Sequence, residues 1–206
     1  MRKPIAAGEE GLRILGRIGV LEKKLIHVVH NIPPLYDENS RILILGSFPS
    51  PKSREARFFY GHPQNRFWKV MARLFERQDF QSIPEKRQFL IENRIAMWDS
   101  IYECDIYGAS DASIKNAVPT DLGKIIRCGK IVQIFTNGKA SGRVFEKYQA
   151  KTLGRSCITL PSTSPANAAW SLERLIDEWR IVKDTLEQEK LADSGSELHK
   201  MVKVCT

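Results

Sequence analysis

The sequence predicts an α/β fold: a three-layer α/β/α sandwich around a central four-stranded parallel sheet. Three observations lead there. Four short apolar runs, at residues 42–45, 95–98, 131–136 and 157–160, are bounded by polar, Gly or Pro residues, as strands buried on both faces are. Segments of helical spacing lie between them, and strands that alternate with helices run parallel, with crossovers on both faces of the sheet. Two of the runs open into loops of small and polar residues, where an open α/β sheet builds its sites.

Taken in order, residues 8–26 set Leu12, Leu15, Ile18 and Leu21 against Arg13, Arg17, Lys23 and Lys24, a loosely helical pattern, so residues 1–26 read as an N-terminal extension. Pro33-Pro34 and the polar residues 37–40 break the chain before the first strand, which Gly46 ends. Phe67, Trp68, Met71, Leu74 and Phe75 then recur at helical spacing, which puts Asn65 at or beside a helix start. Ser82 and Glu85 have capping-box spacing and open a helix that feeds the second strand, with Asp99 and Ser100 at its carboxyl end. Residues 103–123 are polar, contain Gly and show no period. The third strand runs into Asn137-Gly138 and a helix through Tyr148. After the fourth strand, Ser171 is placed to cap a helix whose Leu172, Leu175, Ile176, Trp179, Val182 and Leu186 share one face. The polar residues 190–206 read as a flexible tail, leaving 27–189 as the main domain.

Composition narrows the function. A chain of 206 residues, 42% hydrophobic, carries one core of ordinary size. It has no apolar run near the ~20 residues of a membrane span and no leader with a cleavage site, so a cytoplasmic protein is expected. Cys104, Cys128, Cys157 and Cys205 are scattered without a Cys-x-x-Cys pair, which predicts reduced structural thiols and neither metal nor cofactor. His27, His30 and His199 form no ligand pattern. The formal charge is +8; residues 41–185 alone sum to +8, the preceding and following segments to +1 and −1. The excess therefore lies on the main domain, as phosphate docking requires and as many mildly basic proteins also show.

The first loop, residues 46–65, offers the rings of Phe48, Phe59 and Tyr60 beside an amide and hydroxyls. The second, residues 161–167, is nearly all hydroxyl, small residue and Pro. All four strand ends point to one rim, so the loops can converge with Asp99 and Asn137. Such a cleft suits a flat, uncharged heterocycle, and on a basic domain that heterocycle can be a nucleobase swung out of a DNA stack.

The strings Leu43-Ile44-Leu45-Gly46-Ser47-Phe48-Pro49-Ser50, Tyr60-Gly61-His62-Pro63-Gln64-Asn65-Arg66-Phe67-Trp68 and Pro161-Ser162-Thr163-Ser164-Pro165-Ala166-Asn167 resemble the hypoxanthine (deoxyinosine) DNA glycosylases, a branch of the uracil-DNA glycosylase superfamily, over about residues 27–185. The resemblance implies that the fold is of that kind and that Asn65 is the main catalytic residue. It also implies that Ser162 stands where uracil-removing branches carry a His, and Asp99 where they carry a base-reading Asn. Gly46, Ser47, Pro49 and Ser50 make up the first motif loop.

Each candidate has a second, structural reading. Asn65 can aim water, since an amide both donates and accepts, or can cap its helix. One of Phe48, Phe59 and Tyr60 is expected to stack on the base and the others to support the loop; Tyr60 can instead exclude bulkier bases. Asp99, if ionised, accepts an N–H such as N1–H of hypoxanthine and, if protonated, donates instead, or it caps a helix or loop. Asn137 contacts the base or belongs to a plain turn. Ser162, Thr163, Ser164 and Asn167 contact flanking phosphates, with Pro165 in the same DNA-binding loop, or the segment forms a turn without ligand. Lys52, Arg54, Arg57, His62 and Arg66 are phosphate candidates in the same sense. The chemistry of Asp111 and Ser113 does not follow from the sequence.

The expected function is a monofunctional DNA glycosylase, acting as a monomer, that flips a deaminated base, hypoxanthine first, and hydrolyses its bond to deoxyribose. A uracil or xanthine glycosylase, a catalytically silent nucleic-acid-binding module and a hydrolase of free nucleosides are the alternatives. No Lys is placed for a Schiff-base lyase step.

Overall fold

The computed structural model describes residues 25–204, with side chains through Ser194. The helical extension read over residues 1–26 therefore lies outside the described residues, except that Ile26 opens the first strand.

The elements in chain order are β1 (Ile26–Val29), β2 (Ile42–Gly46), α1 (Pro51–Ala56), α2 (Phe67–Leu74), α3 (Ile83–Glu92), β3 (Ile95–Asp99), β4 (Ile101–Ile106), β5 (Lys115–Pro119), α4 (Gly123–Cys128), β6 (Gln133–Asn137), α5 (Lys139–Tyr148), α6 (Ala150–Leu153), β7 (Cys157–Leu160) and α7 (Leu172–Val204). Strands β3, β2, β6 and β7 form a parallel sheet in that order. The four apolar runs of the sequence are these four strands. β2 is buried at every position, as a central parallel strand must be.

Alternation along the strands creates the three layers. Ile42, Ile44, Ile95 and Met97 face a core shared with Phe67, Met71, Phe89, Leu175 and Trp179 of α2, α3 and α7. Leu43, Leu45 and Ala96 face the other way, onto Ile125 of α4 and Phe145 of α5. Side chains two apart share a face, so one short apolar run serves both cores. One half of the capping box is realised at α3, where Ser82 accepts from the Glu85 backbone N–H at 3.2 Å, while the Glu85 carboxylate accepts from the Gln81 N–H at 2.8 Å instead of from Ser82.

A second sheet departs from the sequence reading. Strands β1, β4 and β5 are antiparallel, in the order β1-β4-β5. β4 and β5 fall mostly in residues 103–123, which show no period because the β4–β5 register shifts twice and breaks the alternation that marks a strand, whereas β1 is only four residues long. The chain enters this sheet directly from β3: Ser100 N donates to Gly46 O (2.8 Å) and Ile101 N to Ser47 O (3.1 Å). A third cluster packs Phe48 of the first loop against Ile101, Cys104 and Ile106 of β4.

The C-terminal end also differs. α7 continues to Val204, through most of the segment whose polarity reads as a flexible tail. Lys, Glu, Leu and Ala there are good helix formers, and polarity excludes burial rather than helix. Asp193 pairs with Arg41 (3.1 Å) and Arg94 (2.5 Å), which moors the helix beside the start of β2. No helix among the described residues is long and apolar enough to cross a membrane.

Candidate active site

The carboxyl ends of the parallel strands meet as the sequence predicts. Gly46 of β2, Asp99 of β3, Asn137 of β6 and Ser162, two residues beyond β7, line one cavity of about 220 Å³. A water takes up about 30 Å³ in the liquid, so this space suits a ring system rather than isolated waters. Ile106, Ala109 and Asp111, which follow from the antiparallel sheet, close the cavity on another side. Phe48, Phe59, Tyr60, His62 and Asn65 line it from the first loop, Ser164 and Pro165 from the second.

The two loops are joined by one polar network. Asn65 Oδ1 accepts from the Phe67 backbone N–H (3.0 Å) and from Thr163 Oγ1 (2.9 Å). Thr163 Oγ1 accepts in turn from Asn137 Nδ2 (2.8 Å), and the Thr163 N–H donates to Asn137 Oδ1 (2.9 Å). Both lone pairs of the Asn65 oxygen are thus engaged, while its Nδ2 makes no hydrogen bond among the described residues. Arg66 is the N-cap of α2 and makes no side-chain cap bond; Asn65, one residue earlier, takes the N–H of the first helical residue, Phe67, and still presents a donor to the cavity. Its oxygen, expected to accept from water, is already taken.

Asn137 and Thr163 differ from expectation. Asn137 meets Thr163 through both ends of its amide, which makes it a clamp between β6 and the second loop and leaves little of it for a base. Thr163 is fully buried and belongs to this network, away from any phosphate.

Arg66 is a larger correction. Its guanidinium donates to the backbone oxygens of Thr163 (3.4 Å), Ser164 (2.7 Å), Asn167 (3.0 Å) and Trp170, and so shapes the second loop instead of facing DNA. Asn167 supports the same turn, with Nδ2 donating to Ser162 O (2.9 Å). Arg54 donates to Pro49 O (3.0 Å) under the first loop, and Lys52 is paired with Glu55 (2.8 Å). Arg57 is exposed and makes no side-chain hydrogen bond or ion pair among the described residues.

At the other end of the cavity, a Cβ on Gly46 would lie 2.0 Å from Asp99 Oδ1 and 3.4 Å from the Tyr60 hydroxyl. Only glycine allows that approach of carboxylate to strand. Tyr60 adopts φ 52, rare for an aromatic residue and costing roughly 1–3 kcal/mol, and it stacks on Phe67 with ring centroids 4.1 Å apart. Its hydroxyl is buried and has no partner in hydrogen-bonding geometry. Burial pushes this phenol far above its ordinary range; the Asp99 carboxylate adds to the rise and the nearby Asn137 amide opposes it, so the hydroxyl keeps its proton as a donor. Phe59 packs on Phe58 (5.5 Å), and Phe48 lies under the Arg54 guanidinium (5.8 Å) while facing the cavity.

Three residues gain a place that the sequence left unassigned. Asp111 accepts from Ser47 Oγ (2.8 Å) at the cavity mouth. The residue as a whole is exposed, but its carboxyl stands in a crowded position, and desolvation raises its pKa against the Ser47 hydrogen bond, with Asp99 adding to the rise. Ser113 clips the loop, accepting from Tyr107 N (2.9 Å) and donating to Ser110 O (2.7 Å). His30 bonds Asp99 at 2.8 Å, a pairing across 69 positions that no sequence spacing signals. Burial pushes the Cys104 and Cys157 thiols up to about 11, so neither is a ready nucleophile.

The profile of the uracil DNA glycosylase superfamily matches residues 33–185. A protein of Methanosarcina acetivorans named hypoxanthine DNA glycosylase is 31% identical over 159 residues, covering 75% of this chain and 98% of that protein. One of the same name from Methanosarcina barkeri is 32% identical over 143 residues, 66% and 85% of the two chains. A solution NMR structure from M. acetivorans, described as a candidate uracil DNA glycosylase, superposes with a TM-score of 0.67 at 30% identity, covering 79% of this chain and 99% of that one.

Proposed function

Because this chain belongs to the uracil DNA glycosylase superfamily, we propose that it is a monofunctional DNA glycosylase that excises a deaminated base, hypoxanthine first, and leaves an abasic site. The observation that carries the reading is the single cavity into which Asn65, Asp99, Tyr60 and Ser162 all open, at the carboxyl edge of the sheet. It is complete within one chain, which supports action as a monomer.

The base leaves the stack and enters the cavity, with Phe48 offering a ring face and Phe59 and Tyr60 forming the wall behind it. The C1′–N9 bond breaks with its electron pair going to the base, and positive charge develops on the sugar. The Asn65 Nδ2 donor holds the oxygen of a water so that a lone pair faces C1′. Capture of a cationic sugar needs little basicity, so a saturated amide oxygen is no obstacle. Water supplies the hydroxyl at C1′, and its proton balances the one that the departing base takes up. The Ser162 hydroxyl, which accepts from Ser164 N at 3.3 Å and keeps its own proton to donate, faces the leaving base. The N-terminal end of α5, beside Gly138 and Ser162, favours the same developing negative charge.

Arg57, His62 and Ser164 remain the phosphate contacts at the rim, with Pro165 lying beside them in the second loop and Lys52 available if its exposed Glu55 pair opens. The +8 charge of residues 41–185 supports docking of this face on DNA, and such an enzyme works where chromosomal DNA is.

Incubating the purified protein with duplexes containing deoxyinosine, deoxyuridine or deoxyxanthosine, followed by alkali, tests the reading. Scission at deoxyinosine is expected; no scission at any of the three overturns it. A uracil reading is favoured by the solved relative, and dominant scission at deoxyuridine would select it.

A further inference from the structure

The two oxygens of Asp99 are treated differently. Oδ2 is bonded to His30 Nε2 at 2.8 Å, with both side chains almost fully buried. The Ile32 backbone N–H donates to His30 Nδ1 at 3.2 Å, so that nitrogen acts as an acceptor and Nε2 is the one that donates to Asp99. The ring is wedged edge-on between Phe48 and Trp98, centroids 6.0 Å from each, and the His30 backbone N–H is held by Tyr102 O at 2.7 Å. Oδ1, in contrast, lies over Gly46 beside the partnerless Tyr60 hydroxyl and makes no hydrogen bond among the described residues.

We infer that His30 is a positioning residue for base selection: it ties down one Asp99 oxygen so that the other, paired with the Tyr60 hydroxyl, meets a base edge carrying N–H next to C=O. This rests on the glycosylase reading. Deamination turns the adenine edge, a bare N1 beside an amino group, into the hypoxanthine edge, N1–H beside a carbonyl. A carboxylate oxygen accepts N1–H but meets the lone pair of adenine N1 as a second acceptor, and the phenol donates to the new carbonyl. The pair therefore matches what deamination creates and opposes the undamaged base. If His30 did not hold Oδ2, the carboxylate could rotate away or turn both oxygens inward, and the discrimination would weaken. A buried hydroxyl without a partner is unfavourable in the empty protein, and a base carbonyl would satisfy it.

The test titrates free hypoxanthine and adenine into the wild type, His30→Gln, His30→Leu and Tyr60→Phe, and measures base release from deoxyinosine and deoxyadenosine duplexes with the same proteins. A hydrogen bond to a charged group is worth about ten- to a hundredfold. His30→Leu is therefore expected to reduce the hypoxanthine-over-adenine preference by that factor, in binding and in kcat/KM. His30→Gln, whose amide can still donate to Oδ2, should keep the preference within about threefold. Tyr60→Phe removes an unpartnered hydroxyl, so it should leave Tm unchanged or raised while lowering the preference; if His30→Leu does not fold, His30→Asn, whose amide is too short to reach Oδ2, takes its place with the same expected loss. An unchanged preference in folded His30→Leu overturns the inference, whatever Tyr60→Phe does and even if hypoxanthine is released. A wild type that prefers free hypoxanthine but releases no base overturns the glycosylase reading and leaves the base selection standing. A wild type that neither prefers nor releases hypoxanthine overturns both.

Discussion

The two ends of the cavity solve opposite problems with similar means. At the Asn65 end, an oxygen is saturated by Phe67 and Thr163 and a donor is left over. At the Asp99 end, a donor from His30 engages one oxygen and an acceptor is left over. In both places a buried neighbour takes one half of a polar side chain and thereby selects which half faces the ligand. Chemistry at such a site depends less on residue identity than on which lone pair or proton remains unpaired.

The largest expected effects fall on Asn65. Asn65→Asp keeps the oxygen that Phe67 and Thr163 engage and replaces the free donor by an acceptor, so Tm should change little while single-turnover base release falls by about 10²–10³, the usual loss for one positioned donor. Full activity in that variant would show that the two ends do not differ as described. Asn65→Ala should lose the activity and also both hydrogen bonds to the Asn65 oxygen, with a stability loss of about 1–3 kcal/mol in denaturant unfolding.

Gly46→Ala probes the other end. A methyl group 2.0 Å from Asp99 Oδ1 must displace the carboxylate, and overpacking of this kind costs about 1–3 kcal/mol. Activity should fall in parallel; a stable, active variant would mean that Oδ1 need not sit where it does.

Arg66 and Arg57 separate shaping the cavity from docking at its rim. Arg66→Met deprives four backbone oxygens of a charged donor and should destabilise by about 2–4 kcal/mol. Arg57→Ala should leave Tm unchanged and lower the slope of log affinity against log salt by about 1. The reverse pattern would exchange their roles.

The smallest effect is far from the cavity, at Asp193. Its folded pKa is held below the ordinary carboxylate range, first by the Arg94 hydrogen bond and also by Arg41. A depressed pKa gives stability that is present above the unfolded pKa and is lost as pH falls through the folded one. The Tm gap between wild type and Asp193→Asn should therefore close on acidification below about pH 4, and thermal melts across pH measure it.

Much of this molecule is legible in the sequence because the relevant signals are local. Four apolar runs specify strands buried on both faces, a Ser and a Glu three apart specify a helix start, and a parallel sheet forces every strand to deliver its loop to the same rim. The meeting of Gly46, Asp99, Asn137 and Ser162 follows from that topology alone. The antiparallel sheet was not legible, because bulges between β4 and β5 erase the period. Nor was the division of labour among polar side chains. His30 and Asp99 stand 69 positions apart, and Arg66 reaches carbonyls about a hundred positions away. Amino-acid type determines which donors and acceptors a side chain owns; which of them are consumed by neighbours is settled only when packing brings distant segments within about 3 Å, the range over which a hydrogen bond exists.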